Sequence, residues 1–130
     1  MNEGEQIEKP LFWIGRSYDD LVGFPDGVRR TFGFALGLAQ NGGKYGDSKP
    51  LKGFGGAGVL EVVEDHRAET YRCVYTVRFA GAVYVLHAFQ KKSRIGIKTP
   101  QHEIELVKER FKRAEEHYRE WTESNKKETP

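Results

Sequence analysis

Residues 59–90 read VLEVVEDHRAETYRCVYTVRFAGAVYVLHAFQ, and this stretch decides the fold. Within it, residues 59–65, 70–79 and 82–90 are rich in Val, Tyr, Thr and Phe. Those side chains suit a pleated, half-buried surface, so each segment is expected to be a strand. The connections, residues 66–69 and Ala80-Gly81, are short enough for hairpins. An antiparallel meander follows. Simple alternation along the last strand sets Val85, His87 and Phe89 on one face and Leu86, Ala88 and Gln90 on the other. Both sets contain apolar residues, so the pattern does not say which face meets solvent.

Upstream of the meander lies a Gly- and Lys-rich loop, residues 42–58. Before that, Pro25 opens a helix with Asp26 in its first turn. Val28, Phe32, Ala35, Leu36 and Ala39 recur at three- and four-residue spacing and give it one apolar face, and Asn41-Gly42-Gly43 stops it. A shorter helical turn is expected up to Val22, with Ser17 as its N-cap. Leu11-Phe12-Trp13-Ile14-Gly15 is too short for a helix and reads as a first strand. Downstream, residues 91–99 form a basic loop, Thr99 caps and Pro100 opens a last helix. Ile104, Val107, Phe111, Ala114, Tyr118 and Trp121 share one face of it. The expected organisation is a polar tail at 1–9, a single domain at 10–121 and a charged tail at 122–130. The expected class is α+β: a curved antiparallel sheet with helices packed on one face and a C-terminal helix.

The chain has 130 residues, 38% of them hydrophobic and 12% aromatic, enough for one packed core. A single cysteine, Cys73, cannot form an internal disulfide, so the fold does not depend on an oxidising compartment. No apolar run reaches the roughly 20 residues that span a bilayer, and the polar N-terminus does not read as a signal peptide. A cytoplasmic protein with no membrane partner is expected.

The net charge is only +2, so the distribution of cations matters more than their sum. Gln90, Lys91, Lys92, Arg94 and Lys98 crowd the end of the last strand and the loop after it. Lys44, Lys49 and Lys52 lie in the Gly-rich loop, and Arg72 and Arg78 on the middle strand. Such a cluster suits a nucleic-acid backbone or charge growing on a phosphate, and equally a merely solvated loop. Gly53-Phe54-Gly55-Gly56-Ala57-Gly58 matches G-x-G-x-x-G literally, but a strand rather than a helix follows, so a dinucleotide site is rejected. His66, His87, His102 and His117 are widely separated, and no H-x-x-x-H or C-x-x-C pair marks a zinc site. No cofactor is implied. Cys73 reads as a small core residue. His87 is a structural histidine or a general acid or base. Trp13, Phe32, Phe34, Phe111 and Trp121 are expected in the core, while Tyr45, Phe54 and Phe89 are candidates for packing or for stacking on bases.

Several segments together carry a family resemblance. They are Lys9-Pro10-Leu11, Pro25-Asp26-Gly27-Val28-Arg29-Arg30, Ser48-Lys49-Pro50-Leu51-Lys52-Gly53-Phe54-Gly55, Leu60-Glu61-Val62 and Tyr71-Arg72-Cys73-Val74-Tyr75. Most specific is Tyr84-Val85-Leu86-His87-Ala88-Phe89-Gln90-Lys91-Lys92, followed by Lys98-Thr99-Pro100. Over about residues 9 to 118 the chain resembles the HigB-like, phage-derived Gp49-like branch of the RelE/ParE toxin superfamily. The resemblance implies a compact RelE-like fold and a type II toxin–antitoxin module with a helix-turn-helix antitoxin as partner. It also implies metal-independent cleavage of mRNA at the ribosome, in which the 2′-hydroxyl attacks the adjacent phosphate. On this resemblance Arg72 stabilises the transition state, Lys91 and Lys92 dock RNA or stabilise the leaving group, and His87 or Gln90 holds a proton. Lys52 contacts the phosphate, and Lys49, Gln90, Arg94 and Lys98 complete the RNA-binding set. Some relatives end the last strand with a tyrosine or an aspartate–histidine pair; lysines stand here, which leaves the general base open. Two alternatives share the fold: a ParE-like gyrase inhibitor without nuclease activity, and a phage-derived protein that only binds its antitoxin.

Overall fold

The computed structural model describes residues 8–56, 58–91 and 98–128. The element order is β1 (Leu11–Trp13), α1 (Ser17–Val22), α2 (Asp26–Gln40), β2 (Lys49–Pro50), β3 (Val59–His66), β4 (Glu69–Thr76), β5 (Val83–Lys91) and α3 (Gln101–Glu128). The strands form one sheet in the order β1-β5-β4-β3-β2. The meander is antiparallel as expected, and β1 joins it in parallel beside β5, which makes the sheet mixed. This α+β arrangement is consistent with the compact RelE-like fold that the resemblance implies.

Two apolar layers sandwich the sheet. On one side Val28, Phe32, Ala35, Leu36 and Ala39 of α2 pack on Val62, Tyr71, Cys73, Tyr75, Val83 and Val85. The α2 face read from the sequence is therefore the buried face. On the other side Ile104, Val107 and Ala114 of α3 pack on Val59, Val74, Tyr84 and Leu86. The first two helices thus share one face and the C-terminal helix takes the opposite one. β5 lies inside both layers, which is why its residues from Val83 to Phe89 are buried without interruption.

Four sequence expectations shift in detail. Ser17 does not cap α1: it is fully buried, and its hydroxyl donates to the Val85 carbonyl at 3.2 Å. Thr99 does not cap α3, because its hydroxyl is used elsewhere, as described below. Phe34 is 61% exposed rather than core, since two residues from Phe32 on a helix is the opposite side. The helix α3 continues through residues 122–128, a run of Glu, Lys, Ser, Asn and Thr in which the sequence shows only charge. Its latter half is held by a 2.6 Å hydrogen bond between the Tyr84 hydroxyl and His117 Nδ1. Burial pushes that phenol up to about 12, so it keeps its proton at neutral pH.

The β3–β4 hairpin turns on two residues, Arg67 and Ala68, with φ of 49° and 71°. Positive φ at both positions matches the right-handed twist of the strands, but it is unfavourable for residues with a Cβ. Ala68→Gly is therefore expected to raise stability by about 1 kcal/mol, measured as a shift in the urea midpoint at unchanged slope.

Candidate functional site

The site lies on the α3 side of the sheet, near the start of that helix. Along β5 the pairing jumps from Val74↔His87 to Tyr75↔Val85, so Leu86 is an extra residue, a β-bulge. Leu86 packs in the α3 layer and His87 bonds to α3 side chains, so both face the same way. Simple alternation would separate them. It holds again beyond the bulge, with Ala88 in the α2 layer and Phe89 in the α3 layer. His87 and Phe89 thus share a face as expected and stack with ring centroids 4.6 Å apart. Val85 and Leu86 are the residues that change sides.

His87 is almost fully buried and has both ring nitrogens engaged by α3. Glu103 Oε1 lies 2.9 Å from Nε2, and Arg110 Nη1 lies 3.3 Å from Nδ1. A guanidinium only donates, so Nδ1 accepts and the proton sits on Nε2, donated to Glu103. Arg110 also donates to the Leu86 carbonyl at 3.0 Å, which ties the bulge itself to α3. Burial pushes the imidazole below its ordinary value, against the upward pull of Glu103. Gly15 makes room for this arrangement. Its φ is +60°, and a Cβ there would stand 2.9 Å from three atoms of the Arg110 guanidinium.

Beside this lies a buried ion pair. Arg72 on β4 is 3% exposed, and its Nη1 lies 3.3 Å from Glu61 on β3. Thr99, just before α3, receives a hydrogen bond from Arg72 Nη1 at 3.0 Å and donates to Glu61 Oε2 at 2.7 Å. Glu61 and His87 both lie in register with Val74 on the strand between them, at either end of one row across three strands. Two strand spacings set their backbones about 10 Å apart. The inner site is charge-balanced, with Arg72 and Arg110 against Glu61 and Glu103.

The rim carries the lysines. Lys49 is exposed and sits opposite Glu61 in the β2–β3 register. Lys52 is exposed in the turn after β2, and a Cβ on neighbouring Gly53 would meet Ile104 and Lys108 of α3. Lys98 is exposed next to Thr99, and its carbonyl accepts a bond from Lys91 Nζ at 2.8 Å. Arg72, His87, Lys91, Lys49, Lys52 and Lys98 are thus gathered around one face. Gln90 is not: beyond the bulge it follows Phe89 onto the α2 side, in register with Tyr71. Lys92 and Arg94 lie outside the described residues. Arg78 follows the far end of β4, beside Gly58.

The aromatic candidates have protein partners. Tyr45 packs on Phe34, Phe54 on Phe111 and Phe89 on His87. Cys73 is buried, and burial pushes its thiol up to about 12, so it is an inert core group. Among the described residues no three His, Cys, Asp or Glu side chains are grouped to hold a metal ion, and no helix is long and apolar enough to cross a membrane. Sequence reasoning assigned no role to Glu61, Glu103 and Arg110, and gave Thr99 only that of a helix cap.

Residues 19–112 match the family described as Phage derived protein Gp49-like (DUF891), and the chain belongs to it. No curated protein and no solved structure matches the chain.

Two outcomes follow from the packing around His87. Gly15→Ala is expected to destabilise the fold by about 1–3 kcal/mol, because the new methyl meets the Arg110 guanidinium and the backbone stays left-handed. Folded His87 titrates below the ordinary value of about 6.5 kept by the unfolded chain, so below that pH the unfolded chain binds more protons. Stability is therefore expected to be complete above about pH 6.5 and to fall as pH drops toward the folded value. Urea midpoints between pH 7.5 and 5.5 should show a shallower fall for His87→Gln than for wild type.

Proposed function

We propose that the chain is the toxin of a type II toxin–antitoxin module, of the RelE/HigB kind, and that it cuts mRNA at the ribosome without a metal. One observation carries the reading. A carboxylate, a guanidinium and an imidazole sit on three neighbouring strands of a single sheet face, rimmed by lysines. RNA supplies its own nucleophile, so the protein needs a base for the 2′-hydroxyl, positive charge for the phosphorane and a proton for the departing oxygen. Family membership supports the toxin part, and with it a helix-turn-helix antitoxin as partner.

In this reading Glu61 accepts the proton of the 2′-hydroxyl as that oxygen bonds to phosphorus. Arg72 balances the charge of the pentavalent intermediate. The phosphorus–5′-oxygen bond then breaks, and the 5′-oxygen takes its proton from the ammonium of Lys91 or Lys92. The products are a 2′,3′-cyclic phosphate and a 5′-hydroxyl. The Thr99 hydroxyl, bonded to both Arg72 and Glu61, stands where a phosphate oxygen is received. His87 is a positioning residue, since both its nitrogens are committed to α3. Lys49, Lys52 and Lys98 bind the RNA backbone, with Arg94 completing the set.

The test uses purified protein, translating ribosomes and a defined mRNA, with a chelator present, and maps the new RNA ends. Wild type is expected to give 5′-hydroxyl ends. Glu61→Gln keeps an oxygen to accept from Thr99 and Arg72, so the fold is retained, and the rate is expected to drop about 10²–10⁴-fold. Lys91→Ala is expected to lose about 10²–10³-fold. Growth arrest on induction without new RNA ends would reject the nuclease and favour a ParE-like gyrase inhibitor. Neither arrest nor cleavage would leave a protein that only binds its antitoxin.

A further inference from the structure

The groups that the chemistry needs are covered in this structure. The Arg72 side chain is 3% exposed and that of Glu61 12%. Thr99, half-buried at the approach to α3, lies against both. Its hydroxyl donates to Glu61 Oε2 at 2.7 Å and accepts from Arg72 Nη1 at 3.0 Å. A hydroxyl has one proton and spare lone pairs, so it can do both at once. The 2′-hydroxyl of RNA has to make the first of these bonds, and a phosphate oxygen the second. Thr99 makes both, and thereby copies the reacting end of the substrate.

The residue before Thr99 engages another reacting group. The Lys98 carbonyl accepts from Lys91 Nζ at 2.8 Å. Two consecutive residues thus hold the base, the guanidinium and an ammonium placed to protonate the leaving oxygen. Their own attachment to the molecule is slight. Helix α3 bonds its first turn to the Pro100 carbonyl, through the N–H groups of Glu103 and Ile104. Pro100 has no N–H, and among the described residues no backbone-to-backbone hydrogen bond fastens Lys98 or Thr99. The pair can therefore swing away without unwinding α3. Lys98 is exposed, where a phosphate backbone can reach its side chain.

We propose, on the nuclease reading above, that Lys98-Thr99 is an autoinhibitory strap. It holds the free protein off by occupying Glu61, Arg72 and Lys91, and the RNA backbone draws it away by gripping the Lys98 side chain. One movement releases all three groups, so the site passes from closed to complete in a single step. The rate on any substrate is lowered by the fraction of molecules in which the strap is closed. Free RNA at low concentration leaves that fraction high. An mRNA held by the ribosome is presented at high effective concentration and shifts the strap open. The low rate without ribosomes then has a cause inside the chain, at one hydroxyl.

Cleavage by the purified full chain is measured on a free single-stranded RNA and on the same message in translating ribosomes, with a chelator present. Thr99→Ala keeps the Arg72–Glu61 pair and removes the strap's hold on it. Its rate on free RNA is expected to rise about tenfold or more, with its ribosomal rate within about twofold of wild type. Thr99→Val, which keeps the shape and lacks the hydroxyl, is expected to rise as well. Thr99→Ser keeps the hydroxyl and is expected to match wild type on both substrates. Lys98→Ala is expected to slow ribosomal cleavage about tenfold in wild type and less in Thr99→Ala, where no strap is left to draw away. Three results overturn the strap while leaving the nuclease standing. They are an unchanged free-RNA rate in Thr99→Ala and Thr99→Val, an equal rise in Thr99→Ser, and loss of ribosomal cleavage in both hydroxyl-free variants at unchanged melting temperature. Absence of 5′-hydroxyl ends from wild type on ribosomes overturns the nuclease reading, and the strap with it.

Discussion

The burial of β5 on both faces is the constraint from which the rest of the structure follows. A strand with water on neither side needs a layer above and a layer below, and α2 and α3 supply them. It also needs neighbours along both edges, and β4 and β1 supply those. The bulge at Leu86 lets one strand serve both layers. Without the extra residue, His87 would turn to the α2 side, where its Glu103 and Arg110 partners cannot follow. The polar cluster and the apolar sandwich thus depend on the same irregularity.

That cluster is costly to build in packing terms. Two arginines and two glutamates are brought close to a dry interface, where removing water from charge offsets much of the attraction between partners. An apolar set of similar shape would hold α3 to the sheet at least as well. Stability alone does not call for Glu61, Arg72 and Thr99 in this place, which supports a chemical role for them. His87 differs, because its environment keeps it neutral and fully bonded, the state of a brace between sheet and helix.

Much of the fold was legible because it rests on short-range patterns. The meander follows from three β-rich segments with short connections, and the buried face of α2 from its three- and four-residue spacing. Features that depend on distant partners were not. Ser17 looks like a cap until Val85 claims its hydroxyl, and Thr99 until Glu61 does. The bulge was hidden because both faces of β5 are apolar, so a one-residue slip leaves no polar mark in the sequence. The candidate site was half legible. Cations announce themselves by clustering, and Arg72, Lys91, Lys49, Lys52 and Lys98 were found that way. Glu61 and Glu103 are ordinary carboxylates in sequence and become significant only when the sheet and α3 bring them to Arg72 and His87.

The parallel pairing of the first strand with the last has a consequence for how the chain comes off the ribosome. Trp13 finds its partner only at Val85, 72 residues later in synthesis. At elongation rates of about 5–20 residues per second, β1 waits roughly 4–14 s for the strand that holds it. Throughout that interval Leu11, Phe12 and Trp13 are an apolar strand with both edges open. The N-terminal third of the molecule cannot finish folding before its C-terminal third exists. A nascent chain of this protein therefore passes through synthesis without a completed sheet, and its two layers close together near the end.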